Sequence, residues 1–185
     1  MIKIIFEAHS TTLDNEEHRS SGSFDVALSK LGIKQSKELG ERYKNKDFDA
    51  IFCSDLQRSY KTAEIAFTDR DFNIIKDKRL KECNYGDFTK RPSAEVDSEK
   101  THRISIPFPN GESYKHTSIR MKEFLKDLSS NYNGKKIMII GHRATQYGLD
   151  YWILGKSLDD IIKTPFKWQQ GWTYYLKEIK EHFNE

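Results

Sequence analysis

Two histidines in this chain stand just past apolar runs. His9 follows MIKIIF in the stretch FEAHSTT, and His142 follows KIMIIG in the stretch MIIGHRAT. A third apolar run ends in IFCSDLQRS, which carries Ser54 and, one helical turn further on, Arg58; Arg143 directly follows His142. An imidazole can act as nucleophile or proton carrier near neutral pH, and a guanidinium offers paired donors to an anion. If the three runs are neighbouring strands, two imidazoles and two guanidiniums meet at their ends. His18, His102, His116 and His182 have no such placement and read as ordinary histidines satisfied by solvent or a backbone carbonyl.

Two other chemistries fit less well. A zinc site usually includes a closely spaced ligand pair such as HxxxH or CxxC, and none occurs around His9, His142, Cys53 or Cys83, so no metal and no cofactor is expected. A Ser-His-Asp hydrolase would place its serine on a GxSxG elbow, which is absent, leaving Ser10 and Ser54 as hydrogen-bond donors or turn residues.

The elements that must position these residues are legible from hydrophobic period. Ile2 to Phe6, Asp49 to Cys53 and Lys136 to Gly141 read as buried strands, and Phe72 to Ile75 as a short edge strand. Ser29 to Lys46, Leu56 to Phe67 and Ser113 to Ser130 read as helices, the last with Met121, Phe124, Leu125 and Leu128 on one face. Strands alternating with helices, the strands apolar on both faces, predict an α/β fold, a three-layer α/β/α sandwich around a mostly parallel central sheet. Ligands of such sheets gather at the carboxyl ends of the strands, where His9, Arg58 and His142 fall. One polar excursion, Thr89 to Asn110, holds three of the four prolines together with Lys90, Arg91, Lys100, His102 and Arg103, and is expected to be a lid or substrate loop.

Composition sets the frame. With 185 residues, 36% of them hydrophobic, the chain suits a single domain over 1–185 with a sizeable core. Its 31 basic and 28 acidic residues, net charge +3, are too balanced for a protein that coats nucleic acid, but tolerate a small anionic substrate. Two cysteines make no disulfide framework, and no run approaches the length of a signal or membrane segment, so no membrane partner and a cytoplasmic location are expected. Oligomeric state leaves no sign.

From Ile2 to about Tyr175 the chain resembles the histidine phosphatase superfamily, the phosphoglycerate mutase-like group. His9, Asn15 and Arg19 keep the spacing of that family's opening, SDLQRSYKTAE resembles its second arginine motif, and LKECNYG resembles the segment carrying its acidic residue, here Glu82; PNGES and MIIGH complete the series. The resemblance implies a phosphoglycerate mutase-like fold and a phosphomonoesterase acting on a small phosphorylated substrate through a phosphohistidine. It assigns catalysis to His9, Glu82 and His142, and phosphate binding to Arg58, Asn15 and Arg19. The opening departs from the family pattern: Ala8 stands where an arginine is usual, and Ser10 where a glycine is. One phosphate clamp is therefore absent, and Arg143 is expected to return a guanidinium to the pocket; a salt bridge to Glu7 or another acid is its alternative. A degenerate member that binds a phosphorylated ligand with little turnover is the second reading. A mutase, whose longer chains help retain a bisphosphate, is a third.

Overall fold

The computed structural model describes residues 1–180, so His182 lies outside the described residues. Five strands form the sheet: β1 (Ile2–Ala8), β2 (Ala50–Cys53), β3 (Ile74–Lys76), β4 (Lys136–Gly141) and β5 (Trp172–Leu176). Their order is β3-β2-β4-β1-β5; the first four run parallel, and β5 pairs antiparallel to β1. The edge strand expected in 72–75 forms two residues later, and β5 closes the opposite edge with residues that gave no clear strand signal.

Side chains alternate across each strand, so one strand feeds both layers. Ile4 and Phe6 of β1 join Ile137 and Ile139 of β4 on one face; Ile5 joins Met138 and Ile140 on the other. The second face is covered by α2 (Lys30–Tyr43) and α3 (Gln57–Ala66), which contribute Leu39 and Ala63. The first is covered by α5 (Tyr114–Asn131) and α6 (Arg143–Leu154). Met121, Phe124, Leu125 and Leu128 of α5 are all buried, as their spacing required, each contributing roughly 1.5–3 kcal/mol from water exclusion. Ser29 caps α2 by accepting the Gly32 N–H at 3.1 Å, and Ser113 caps α5 through the His116 N–H at 3.2 Å.

The excursion over 89–110 is more ordered than a solvated loop. It folds into α4 (Ser93–Glu99) and pins itself to the core by Val96 and Phe108, both buried. Single turns of tight helix at Lys78–Leu80 and Gly86–Phe88 lead into it, while α1 (Leu13–Glu16) and α7 (Leu158–Lys163) flank the strand ends. Among the described residues no helix is long and apolar enough to cross a membrane.

Candidate active site

The pairing of β1 with β4 sets the site. Ala8 lies opposite Gly141 in the ladder, and the His9 N–H continues it by donating to the Gly141 carbonyl at 3.0 Å. The two histidines that follow these strands are thereby brought together, with ring centroids 5.0 Å apart. Both line one cavity of about 1090 Å³ at the carboxyl ends of the strands.

The hydrogen bonds assign the tautomer of each ring. His9 Nδ1 lies 2.8 Å from the Ser10 carbonyl oxygen. A carbonyl only accepts, so Nδ1 carries the proton and Nε2 keeps its lone pair. His142 Nε2 lies 2.7 Å from Ser54 Oγ, which already accepts the Leu56 N–H at 3.3 Å. Among the described residues the Ser54 hydroxyl has no other acceptor, so its proton is directed at His142 Nε2, which leaves Nδ1 as the protonated nitrogen of the neutral ring. That Nδ1 is buried and has no partner among the described residues, a donor held ready in the cavity wall.

Burial, reinforced by the Arg58 charge, lowers the His9 pKa from its usual range to about 3. The same two causes, in the same order, push His142 well below the usual histidine value. The folded state binds fewer protons than the unfolded chain below pH 6.5, so these rings cost stability progressively as pH falls from about 6.5 toward 3, and none above it. Imidazole nitrogen NMR should therefore show both rings as neutral Nδ1–H tautomers with no protonation step between pH 5 and 7. A step in that window for His9 would refute the assignment of a permanently neutral nucleophile.

Arg58 enters from the first turn of α3. It is buried, and its Nη atoms donate to the carbonyls of Phe24 at 2.8 Å and Gly22 at 2.5 Å, which orients the fork while leaving other N–H donors for a ligand. Gly22 is required at that turn: its φ is +55°, and a Cβ there would stand 2.9 Å from the Cys83 carbonyl oxygen. Glu82 is also buried. Its Oε1 accepts the Cys83 N–H at 2.7 Å, and its Oε2 accepts those of Arg143 at 3.0 Å and Ala144 at 3.4 Å, at the N-terminus of α6.

The remaining sequence-derived candidates line the same cavity at its wall and rim. Asn15 closes the capping box of α1, its Oδ1 accepting the Thr12 N–H at 3.0 Å, so its NH2 group is the end left for a ligand. Arg19 is exposed and spends donors on the Lys90 carbonyl at 2.9 Å and on Glu17 at 3.2 Å. Arg143 directs one Nη to Gln146 at 2.6 Å and the other to the Thr164 carbonyl at 3.1 Å, which leaves its remaining N–H donors for a ligand. Glu7, its alternative partner, is taken by Arg42 of α2 at 3.2 Å and by the Tyr43 hydroxyl at 2.7 Å. Burial pushes the Glu7 carboxyl up, against the pull of Tyr43 and Arg42. Among the described residues no group of three or more histidine, cysteine, aspartate or glutamate side chains could hold a metal ion.

Sequence reading missed Arg42 and Tyr147 as cavity residues, whereas Lys100 belongs to the excursion expected to be a substrate loop. Arg42 sits on a helix whose polar face looks alike whether it meets solvent or a cleft, and Tyr147 on one whose residues read as core. Glu7 did leave a signal, as a lone carboxylate inside the apolar run IKIIFEA. Of the aromatic residues near the end of the chain, Trp152 and Tyr174 belong to the core, whereas Phe166 and Trp168 stand exposed at the cavity.

The sequence profile of the histidine phosphatase superfamily (branch 1) matches residues 4–174. Over 149 residues the chain is 29% identical to an uncharacterized phosphatase of Bacillus subtilis, spanning 80% of this chain and 76% of that protein. Over 175 residues it is 31% identical to the phosphoglycerate mutase of Schizosaccharomyces pombe, spanning 86% and 83% of the two chains. In fold it is similar to YhfR of Bacillus stearothermophilus, with a TM-score of 0.80 over 92% of this chain and 88% of that one, at 22% identity.

Proposed function

The chain belongs to the histidine phosphatase superfamily, and from that premise we propose that it is a phosphomonoesterase that hydrolyses a small phosphorylated metabolite through a phosphohistidine on His9. The observation that carries this reading is the paired neutral imidazoles, 5.0 Å apart, beside a buried guanidinium. His9 Nε2 attacks phosphorus in line and forms the N–P bond as the P–O bond to the leaving alcohol breaks. Glu82 gives that departing oxygen its proton. Water then attacks the phosphohistidine, Glu82 recovers a proton from it, and phosphate leaves with His9 neutral again. Charge on the non-bridging oxygens is met by the Arg58 fork and by the Nδ1–H of His142, donors already aimed before the reaction begins.

Rapid quenching with a radiolabelled phosphoester tests the intermediate. The reading requires label on His9 within a single turnover. The second reading, a binder with little turnover, is favoured by one observation, Ala8 in place of a clamp. It requires retained ligand and no covalent label.

Glu82→Gln tests the proton step. A glutamine keeps the acceptor contact at one oxygen but carries no transferable proton. Turnover of an alkyl phosphate, whose alkoxide leaves poorly, should fall about 100-fold, while an activated aryl phosphate should change only a few-fold. Equal loss on both substrates would leave Glu82 as a structural anchor for α6.

A further inference from the structure

The phosphate-handling groups occupy one end of the cavity, and its remainder has a chemistry of its own. Two arginines on its wall each lie beside a pair of rings. The Arg143 guanidinium lies 4.7 Å from the Tyr147 ring centroid and 5.0 Å from that of Phe166. The Arg42 guanidinium lies 5.9 Å from the rings of both Tyr43 and Trp168. Each is tied down by an acceptor, Gln146 for Arg143 and the buried Glu7 for Arg42. Among the described residues Arg42 Nε is buried without a partner.

Phe166 and Trp168 come from one short segment between α7 and β5. That segment is fitted to the wall at Gly171, whose φ is +71° and where a Cβ would stand 2.7 Å from the Tyr43 hydroxyl and 3.2 Å from Glu7 Oε1. Phe166 is further backed by Trp172, at 6.1 Å between centroids and 32° between planes, and Trp172 by Phe6 of β1 at 5.6 Å. Yet Phe166 remains 49% exposed and Trp168 60% exposed. Large aromatic rings that stay about half exposed at a cavity offer surface to another flat group.

We propose that this half of the cavity is a ring-binding subsite, and that the leaving alcohol carries a planar heteroaromatic base, so that the preferred esters are nucleoside monophosphates. This rests on the phosphomonoesterase reading above and names its substrate class. Indole, phenyl and guanidinium planes are the surfaces on which bases stack, and the guanidinium edges supply donors to the acceptor atoms of a base. Neutralised by Glu7, Arg42 offers a flat plane more than a free charge, which suits an uncharged ring better than a second anion. Spacing agrees. Arg143 directly follows His142, so the ring pair beside it is separated from the phosphate end by one arginine side chain, the scale of a pentose. A three-carbon acid would leave most of a 1090 Å³ cavity to water.

The matched probes are adenosine 5′-monophosphate and ribose 5-phosphate, which share the reacting phosphate and the pentose and differ in the base. The expected result is a kcat/KM at least about tenfold higher for the nucleotide, the scale of one base–aromatic stack. Trp168→Ala and Phe166→Ala should each collapse that ratio, through the KM of the nucleotide. A ratio near one in the starting protein, or a ratio that neither variant changes, overturns the subsite. Should neither ester be hydrolysed, the phosphomonoesterase reading is decided by the His9 label described above, and calorimetric binding of the two probes still decides the subsite: tighter binding of the nucleotide that weakens in Trp168→Ala supports it, and equal binding overturns it.

Discussion

His9→Ala is expected to lower phosphoryl transfer by a factor on the order of 10⁴ or more, because removal of a covalent nucleophile leaves only substrate binding and oxyanion stabilisation. No neighbour can replace it. His142, the other imidazole at the site, commits Nε2 to Ser54 and presents a protonated Nδ1, which has no lone pair to attack with. The fold should survive, since His9 follows the strand rather than filling the core between its layers. Stability should also become less sensitive to acid: one of the two rings that resist protonation in the folded state is gone, so the loss on going from pH 6.5 toward 4 should shrink. Turnover and thermal unfolding measured across pH check both statements. A variant keeping more than about a tenth of normal turnover would exclude the covalent route.

Arg58→Ala should cost kcat/KM a factor of roughly 100 to 1,000, or about 2.7–4 kcal/mol, the scale for loss of one preorganised donor to a developing oxyanion. With Ala8 unable to share the load, the upper end of that range is expected. The change should also lower stability, because the Gly22 carbonyl loses its donor in a buried setting, at about 1–3 kcal/mol, and the part-buried Phe24 carbonyl loses its donor at a smaller cost. Arg58→Lys separates the two effects. It keeps the charge and loses the fork, so affinity for inorganic phosphate should recover in part while turnover stays low. Competitive inhibition by phosphate and thermal unfolding of both variants are the measurements. An Arg58→Ala protein with normal phosphate affinity would reduce Arg58 to a tie between α3 and the turn at Gly22.

Much of this architecture is local, and local physics is legible in a linear chain. Lys136 to Gly141 reads as a strand because the five residues after Lys136 have no polar break, and such a run is buried on both faces in a covered parallel sheet. The α5 face reads as a helix because Met121, Phe124, Leu125 and Leu128 recur at helical spacing. His9, Arg58 and His142 stand at run ends, and the strand-end rule of α/β sheets then brings them to one cleft. Motif order placed Glu82, whose own surroundings carry no periodic signal.

The pairing order of strands, and everything that depends on it, lies beyond that reach. That β4 lies between β1 and β2 follows from packing the whole sheet, and this order alone makes His9 and His142 neighbours across a sequence gap of well over a hundred residues. The direction of each ring follows from single contacts, the Ser10 carbonyl for one and Ser54 for the other, which no spacing rule anticipates. Arg143 shows the limit most directly. Its position beside His142 is why a guanidinium is expected there for the phosphate, but the direction of a long flexible side chain is set by its partners, here Gln146 and the Tyr147 ring of its own helix together with the Thr164 carbonyl and the Phe166 ring from the segment beyond, contacts that no spacing announces. Hydrophobic periodicity encodes which face of a segment is buried; which polar groups meet within the cleft depends on distances between segments that only the assembled sheet and its helices define.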